Sequence, residues 1–473
     1  MRERQVRFTL HDLLWELCDR PLGGKECHMP ADESRLHSAA RLRRIFRALH
    51  ARNYRLYLGG QSLSLIGTWM QRVALTWWVY RVTHSALALG WVGFAGQIPA
   101  LLLAPLAGAF VDRWDRYRLL LVTQILAMLQ AFVLAWLMLA DVATLGQVVV
   151  LSAVLGVINA VDMPTRQALM VDLVDRHEDL SNALALNSTM TNGARLVGPT
   201  MAGLMIVSMG EGRCFLLNGL SYLAILAALG AMRLPPRPAA PPSASVLVEA
   251  HAGVRYAWRF TPIRAILLLV SVATLFGMPY QMLLPVFATD ILHGDAHTLG
   301  VLTAASGVGA ILGALYMASR DSVLGLGRVL VLSTCLFGLG LVGLSLARHD
   351  IVAMLALVGA SGGMMVLTTA SNTVLHTIVD EEQRGRVMSF YTMAFMGTAP
   401  LASLVAGGVA AQIGAPQTVR IGGVGCLIGA LVFARYLPAL REMVRPIYTD
   451  LGLIQAATLR TQTAIESGLH GHH

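Results

Sequence analysis

Segment after segment of roughly 20 apolar residues governs what this chain can become, because a helix of that length crosses the roughly 30 Å hydrocarbon core of a bilayer. Lipid offers the backbone no hydrogen bonds, so a span must satisfy its own N–H and C=O groups, as a helix does. The spans fall at about 56–80, 86–111, 118–140, 145–165, 181–208 and 213–233. After a break they resume at 263–290, 298–319, 327–347, 350–374, 387–412 and 417–438. The 473-residue chain is 55% hydrophobic and only 13% charged, and the class that follows is an all-α integral membrane protein. The break, "RLPPRPAAPPSASVLVEAHAGVRYAWRFTP", is rich in Pro and Ala and then basic. It predicts an amino-terminal extension over 1–50, a six-helix bundle over 51–233, a linker over 234–262, a second six-helix bundle over 263–438 and a tail over 439–473.

Charge sets the orientation. Short loops that share one side hold Arg113, Arg116, Arg118, Arg166, Arg176, Arg233, Arg237, Arg255, Arg259, Arg264, Arg320, Arg328, Arg384 and Arg386, whereas the opposite loops hold only Arg81, Arg213, Arg348 and Arg420. Cytoplasmic loops carry the arginine excess, so both termini are expected in the cytoplasm, with the protein in a bacterial inner membrane. The net charge of +9 is spread over these loops rather than gathered on one basic module, which argues against nucleic acid as a partner. Residues 1–50 have no short apolar core of a signal peptide. Their stretch "SRLHSAARLRRIFRALHARNYR" is expected to lie on the lipid surface as a basic helix. The cysteines Cys18, Cys27, Cys214, Cys335 and Cys426 lie far apart and outline neither a disulfide framework nor a zinc site. No metal-ligand cluster, nucleophile–base set or phosphate-cradling loop is legible, so no cofactor, no metal and no enzyme activity are expected.

The halves repeat. "GTWMQ" at Gly67–Gln71 returns as "GMPYQ" at Gly277–Gln281, and "DLVD" followed by "GPTMAG" is echoed by "TIVD" followed by "APLASLVAGG". Repeated halves around a midplane site are a recurring plan of secondary transporters. Polar residues within spans are costly and therefore informative. Gln61, Ser64, Thr68 and Gln71 recur at helical steps, and their counterparts include Thr274 and Gln281. Two such stripes predict polar faces that look into a shared substrate cavity. Arg195, near the middle of the fifth span, costs at least about 2.5–3.5 kcal/mol unless it meets water or a partner. It either fixes the fold or attracts an anionic group on the cargo. Asn192 and Asn372 complete the expected cavity set.

One stretch concentrates charge: "GAFVDRWDRYR", Gly108 to Arg118. It resembles the signature between the second and third helices of the major facilitator superfamily, with Gly108, Asp112, Arg113, Arg116 and Arg118 in register and Asp115 in place of a glycine. The equivalent place in the second half, "GALYMASRD", has Met317 where the aspartate would stand. "ARLVGPTMAG" resembles the fifth-helix motif of facilitator-type exporters at Gly198, Pro199 and Gly203, the proline being expected to bend the helix. The fourth-helix arginine motif of many drug–proton antiporters has no counterpart here. "NYRLYLGGQSLSLIGTWMQRVALTWWVY" and "RGRVMSFYTMAFMGTAPLASLVAGG" look like the transmembrane secretion effector branch that includes the enterobactin exporter.

The resemblance implies two pseudo-symmetric six-helix bundles. It also implies a conformational latch in which Asp112 faces the start of the eleventh helix near Arg386–Ser389, while Arg116 reaches Asp162. The expected activity is secondary active export of a small amphipathic molecule, a siderophore, antibiotic or related metabolite, by alternating access in exchange for protons and as a monomer. An importer or lysolipid transporter is the alternative. A membrane enzyme or a non-transporting sensor is a remote one.

Overall fold

In the computed structural model the described residues are 47–174, 176, 179–233, 260–320 and 322–450. Within the helices, the side chains of 104–113, 181, 381, 382, 385, 386 and 450 lie outside that description. Among the described residues the first half supplies α1 (Arg52–Thr83), α2 (Ala86–Arg113), α3 (Arg116–Leu139), α4 (Leu145–Asp172), α5 (Leu180–Met209) and α6 (Glu211–Ala231). The second half supplies α7, which begins at Thr261–Val272 and spans Thr261–Ile291, α8 (Ala296–Ala318), α9 (Leu326–Leu346) and α10 (Asp350–Ile378). It closes with α11, which starts at Glu381–Thr392 and resumes over Ala399–Ile413, and α12 (Ala415–Asp450).

Local chemistry fixes several ends. Asp115 starts α3 by accepting from the backbone N–H of Arg118 at 2.8 Å, the usual service of an acidic cap. Thr144 and Gln147 form a reciprocal capping box on α4, and Asp295 accepts from the N–H groups of His297 and Thr298 to open α8. Gly210, at φ +82°, makes the tight turn between α5 and α6 that a side chain would resist.

Ten of these helices are long and apolar enough to cross a membrane by composition alone. α1 and α5 have the length but not the apolarity, because they carry Arg72, Gln61 and Gln71 and Asn187, Asn192 and Arg195 respectively. Two helices of the second half depart from regular winding. α7 passes through π turns at Ala273–Gly277 and Phe287–Ile291, and α11 through one at Met393–Gly397. Such turns mark strain or function inside helices, and their sequence neighbours are Pro279 and Pro400, which deny the ladder a donor. α12 does not stop at 438. It runs to Asp450 and buries Leu440 and Val444, so the first part of the expected tail is helix. The linker and the amino-terminal extension fall almost entirely outside the described residues.

α1, α3 and α6 pack together in the first half and α8, α9 and α10 in the second, while α5 meets α8 and α2 meets α11 between the halves. These two seams rest on bare backbone. A Cβ added to Gly300 would stand 2.8 Å from both the Pro199 carbonyl oxygen and the Cα of Gly203; one on Gly407 would stand 2.8 Å from the Ala86 carbonyl oxygen and 2.9 Å from the Cα of Gly90. Small residues at membrane helix contacts allow this approach and the dispersion contacts that come with it. Both seams lie toward the face that carries the α1–α2 and α7–α8 connections, and they shut that face.

Candidate functional site

The charged residues expected to form the latch separate into two clusters. Asp162, on α4, is buried and turned into the first half. It accepts from Thr123 Oγ1 at 2.8 Å and Gln124 Nε2 at 2.6 Å, and pairs with Arg166 one turn along its own helix. Arg116, at the start of α3, instead pairs with Asp172 at 3.1 Å and donates to the Ala168 carbonyl oxygen. The expected Arg116–Asp162 contact is therefore corrected. Asp172 lies nearly three turns further along α4, level with the helix start that carries Arg116, whereas Asp162 is fully engaged by α3 inside the bundle. Gly108, Asp112 and Arg113 end α2, but their side chains are outside the described residues, as is the expected contact of Asp112 with Arg386. Arg118 is exposed.

The polar stripe of α1 does not open on a cavity. Gln61, Ser64 and Gln71 are buried. Gln71 accepts from Asn218 of α6 at 2.7 Å and donates to Gln130 of α3, an interhelical seam inside the first half. Both polar atoms of Gln61 and the Ser64 hydroxyl are buried and have no hydrogen-bond partner among the described residues. Thr68 donates to the Ser64 carbonyl and Thr274 to the Val270 carbonyl, each within its own helix. Gln281 is half-buried between the π turns of α7. Asn192 donates to the Ser188 carbonyl oxygen. The Oδ1 of Asn372 is buried and has no hydrogen-bond partner among the described residues.

The face of α1 that does open lies roughly a quarter turn away, and the sequence reading missed its main residue. Arg72, on the side of α1 shared with Trp69 and Thr76, is exposed within the protein's surface, and its guanidinium sits 4.6 Å from the centroid of the Trp69 ring. Arg195, in the middle of α5, brings a second guanidinium to the same ring at 5.3 Å. Cations over an indole face gain about 0.5–2 kcal/mol, which holds both arginines without neutralising either. Among the described residues neither has a carboxylate partner. A simple rule would have found Arg72, since it is a charge in the interior of the first span and such charges are functional candidates by default.

The exporter-type motif of α5 builds this spot. A Cβ on Gly198 would lie 2.6 Å from Trp69 Cβ and 2.8 Å from the Ile66 carbonyl oxygen, so the glycine lets α1 lie against α5 and seats the indole. Pro199 has no N–H for the carbonyl of Arg195, and that carbonyl oxygen points at Gly307 of α8. Gly203, one turn on, meets Gly300. The three residues thus join α1 on one side of α5 to α8 on the other. The helix remains continuous through Pro199. Toward the opposite face, a cavity of about 410 Å³ is lined by Ser188 of α5 with Met317, Arg320, Thr369 and Thr373 of the second half.

At the shut face the hydroxyl of Tyr80, at the end of α1, donates to Asp290, at the end of α7. These positions are separated by 210 residues, the offset of the internal repeat, so the contact joins equivalent positions of the two halves. A hydrogen bond to a charged group is worth about 1.5–3 kcal/mol. Tyr80→Phe is expected to raise by about tenfold or more the fraction of molecules labelled at a Thr76→Cys reporter by a bulky, impermeant maleimide applied at this face. Unchanged labelling would show that the bond carries no closing energy.

The chain matches the family described as transmembrane secretion effector over residues 46–448. It belongs to that family. It is 28% identical over 380 residues to the staphyloferrin A transporter of Staphylococcus aureus, covering 80% of this chain and 94% of that one. It is 27% identical over 384 residues to the multidrug efflux pump Tap of Mycolicibacterium fortuitum, covering 78% and 92% respectively. Among solved structures it is similar to a bacterial homologue of the human lysosomal transporter Spinster in an inward-facing, unoccupied conformation. The TM-score there is 0.64 at 16% identity, over 83% of this chain and 98% of that one, a likeness of fold alone. The family and these relatives are transporters of the major facilitator type, not enzymes, and this chain is a multi-pass membrane transporter of small molecules.

Proposed function

We propose that this protein exports a small amphipathic molecule across a bacterial inner membrane by alternating access, with both termini in the cytoplasm. The observation that carries the reading is the pairing of a glycine-built seal on one face with the Arg72–Trp69–Arg195 cluster beneath it, which has no carboxylate partner among the described residues. The halves touch where a periplasmic mouth would close, and the cluster stands where α1 and α5 meet near mid-membrane. The α2–α3 face, which bears Arg116 and Arg118, is then cytoplasmic, and cargo enters from there. The motif around Gly198–Gly203 supports the direction, as does the resemblance to an efflux pump and a siderophore transporter. A siderophore, an antibiotic or a related metabolite is the cargo class.

Export runs in exchange for protons and by a single copy of the chain. One charge crossing 100 mV supplies about 2.3 kcal/mol, enough for a gradient of about fiftyfold at about 1.4 kcal/mol per decade. Asp290 is the acid best placed to sense the outer compartment, since its partner is the hydroxyl that closes the gate. In everted vesicles energised by respiration, an amphiphilic anionic dye such as fluorescein is expected to accumulate, and an imposed alkaline interior to abolish that accumulation. Dye loss from the vesicles would identify an importer. Accumulation indifferent to the pH gradient would exclude proton exchange.

A further inference from the structure

The Arg72–Trp69–Arg195 cluster is built for an anion. Two guanidinium groups, from different helices, are held against one indole. Among the described residues neither meets a carboxylate, and Arg72 is exposed. Like charges gathered in a confined place repel one another, and a central arginine is tolerated in a span only where water or a partner receives it. An isolated fold-stabilising role is poorly served by this arrangement. The buried pair Asp162–Arg166 shows how the same chain neutralises an arginine when it uses one structurally.

Resting on the export reading, we propose that Arg72 and Arg195 bind an anionic group of the cargo while Trp69 takes an adjacent flat or apolar part. The cargo class is a carboxylate or comparably charged amphiphile. A guanidinium recognises a carboxylate by two parallel hydrogen bonds, and an indole offers a broad apolar face beside them. Gly198 is a positioning residue for this site, because a side chain there would press on Trp69 and on the α1 backbone beside it.

The full-length protein in nanodiscs provides the test, with two dyes of one xanthene frame and opposite charge: fluorescein, an anion, and tetramethylrhodamine methyl ester, a cation. Binding is followed by fluorescence polarisation. Fluorescein is expected to bind at least tenfold more tightly than the ester. Arg72→Gln and Arg195→Gln should each weaken fluorescein by about ten- to a hundredfold, as for lost charge-assisted bonds, and strengthen or leave unchanged the cationic ester. Arg72→Lys should retain more of the affinity than Arg72→Gln. Equal binding of the two dyes, or fluorescein affinity untouched by both glutamine variants, overturns the proposal. Should Arg72→Gln fail to fold, judged by its melting profile, Arg195→Gln and the effect of added salt on the wild type decide alone. Vectorial flux in everted vesicles is scored separately. Arginine-dependent anion binding without outward-directed flux would sink export and keep the site, whereas outward flux with charge-blind binding would sink the site and keep export.

Discussion

Replacing Asp162 by Leu is expected to cost about 3 kcal/mol of stability, the lower end of what breaking a buried ion pair removes. Asp162 accepts from Thr123 and Gln124 and neutralises Arg166. Without it, the Thr123 hydroxyl still has the Leu120 carbonyl, but the Gln124 amide of α3 loses its acceptor and α4 keeps a cation inside the bundle. The lower end applies because the Arg166 side chain retains 23% exposure and can turn partly toward water. The double variant Asp162→Leu with Arg166→Met should recover most of the loss, since apolar residues of similar volume replace a buried pair at little cost. Arg116→Ala, which breaks a pair exposed by 27% and 23%, should cost about 1 kcal/mol or less. Melting curves in one detergent rank the three. An Asp162→Leu protein that melts with the wild type would mean that the pair contributes nothing to the first half.

The second large effect is expected at the seam between the halves. Leu at Gly300 cannot coexist with the present contact, because even its Cβ would press on the Pro199 carbonyl and the Gly203 backbone. These are backbone atoms on a packed helix and cannot swing aside. Overpacking of this kind costs about 1–3 kcal/mol, and a two-state equilibrium shifts about tenfold for each 1.4 kcal/mol of differential energy. Gly300→Leu should therefore favour the conformation open at the α1–α2 face, expose a Thr76→Cys reporter there and abolish net export while leaving insertion intact. Export at the wild-type rate would show that this seam need not close during the cycle.

The sequence carried the architecture further than the site. Apolar length and the 210-residue repeat mark the helices and their two-fold organisation, because both are set by bilayer thickness and by pairing of equivalent elements. The polar stripe of α1 misled, since helical spacing says that residues share a face but not what that face meets. The clue lay between the polar residues. Gly60 and Gly67 fall on the same stripe, and a Cβ at either would strike α6 at Ala224 and Ile225 or at Ser221 and Asn218. Glycines on a membrane helix face announce another helix rather than a cavity. Arg72, adjacent to Gln71, was overshadowed by that stripe although it points elsewhere. The partner of Arg116 was not legible either: Asp162 and Asp172 lie on one helix, and only the depth of α3 beside it decides which carboxylate the arginine meets. The π turns of α7 and α11 leave no trace beyond nearby Gly and Pro, which also occur in helices that stay regular.

Two spin-label distances, measured in one protein, test most directly the claim that two rigid halves rock about the Arg72–Arg195 centre. One pair, at Ser208 and His297, reports the ends of α5 and α8 at the shut face. The other, at Thr189 and Ser319, reports their opposite ends. On going from the wild type to Gly300→Leu the first distance should lengthen and the second shorten. Lengthening of the first with no change in the second would mean that the helices bend locally, and rocking of the halves would be contradicted.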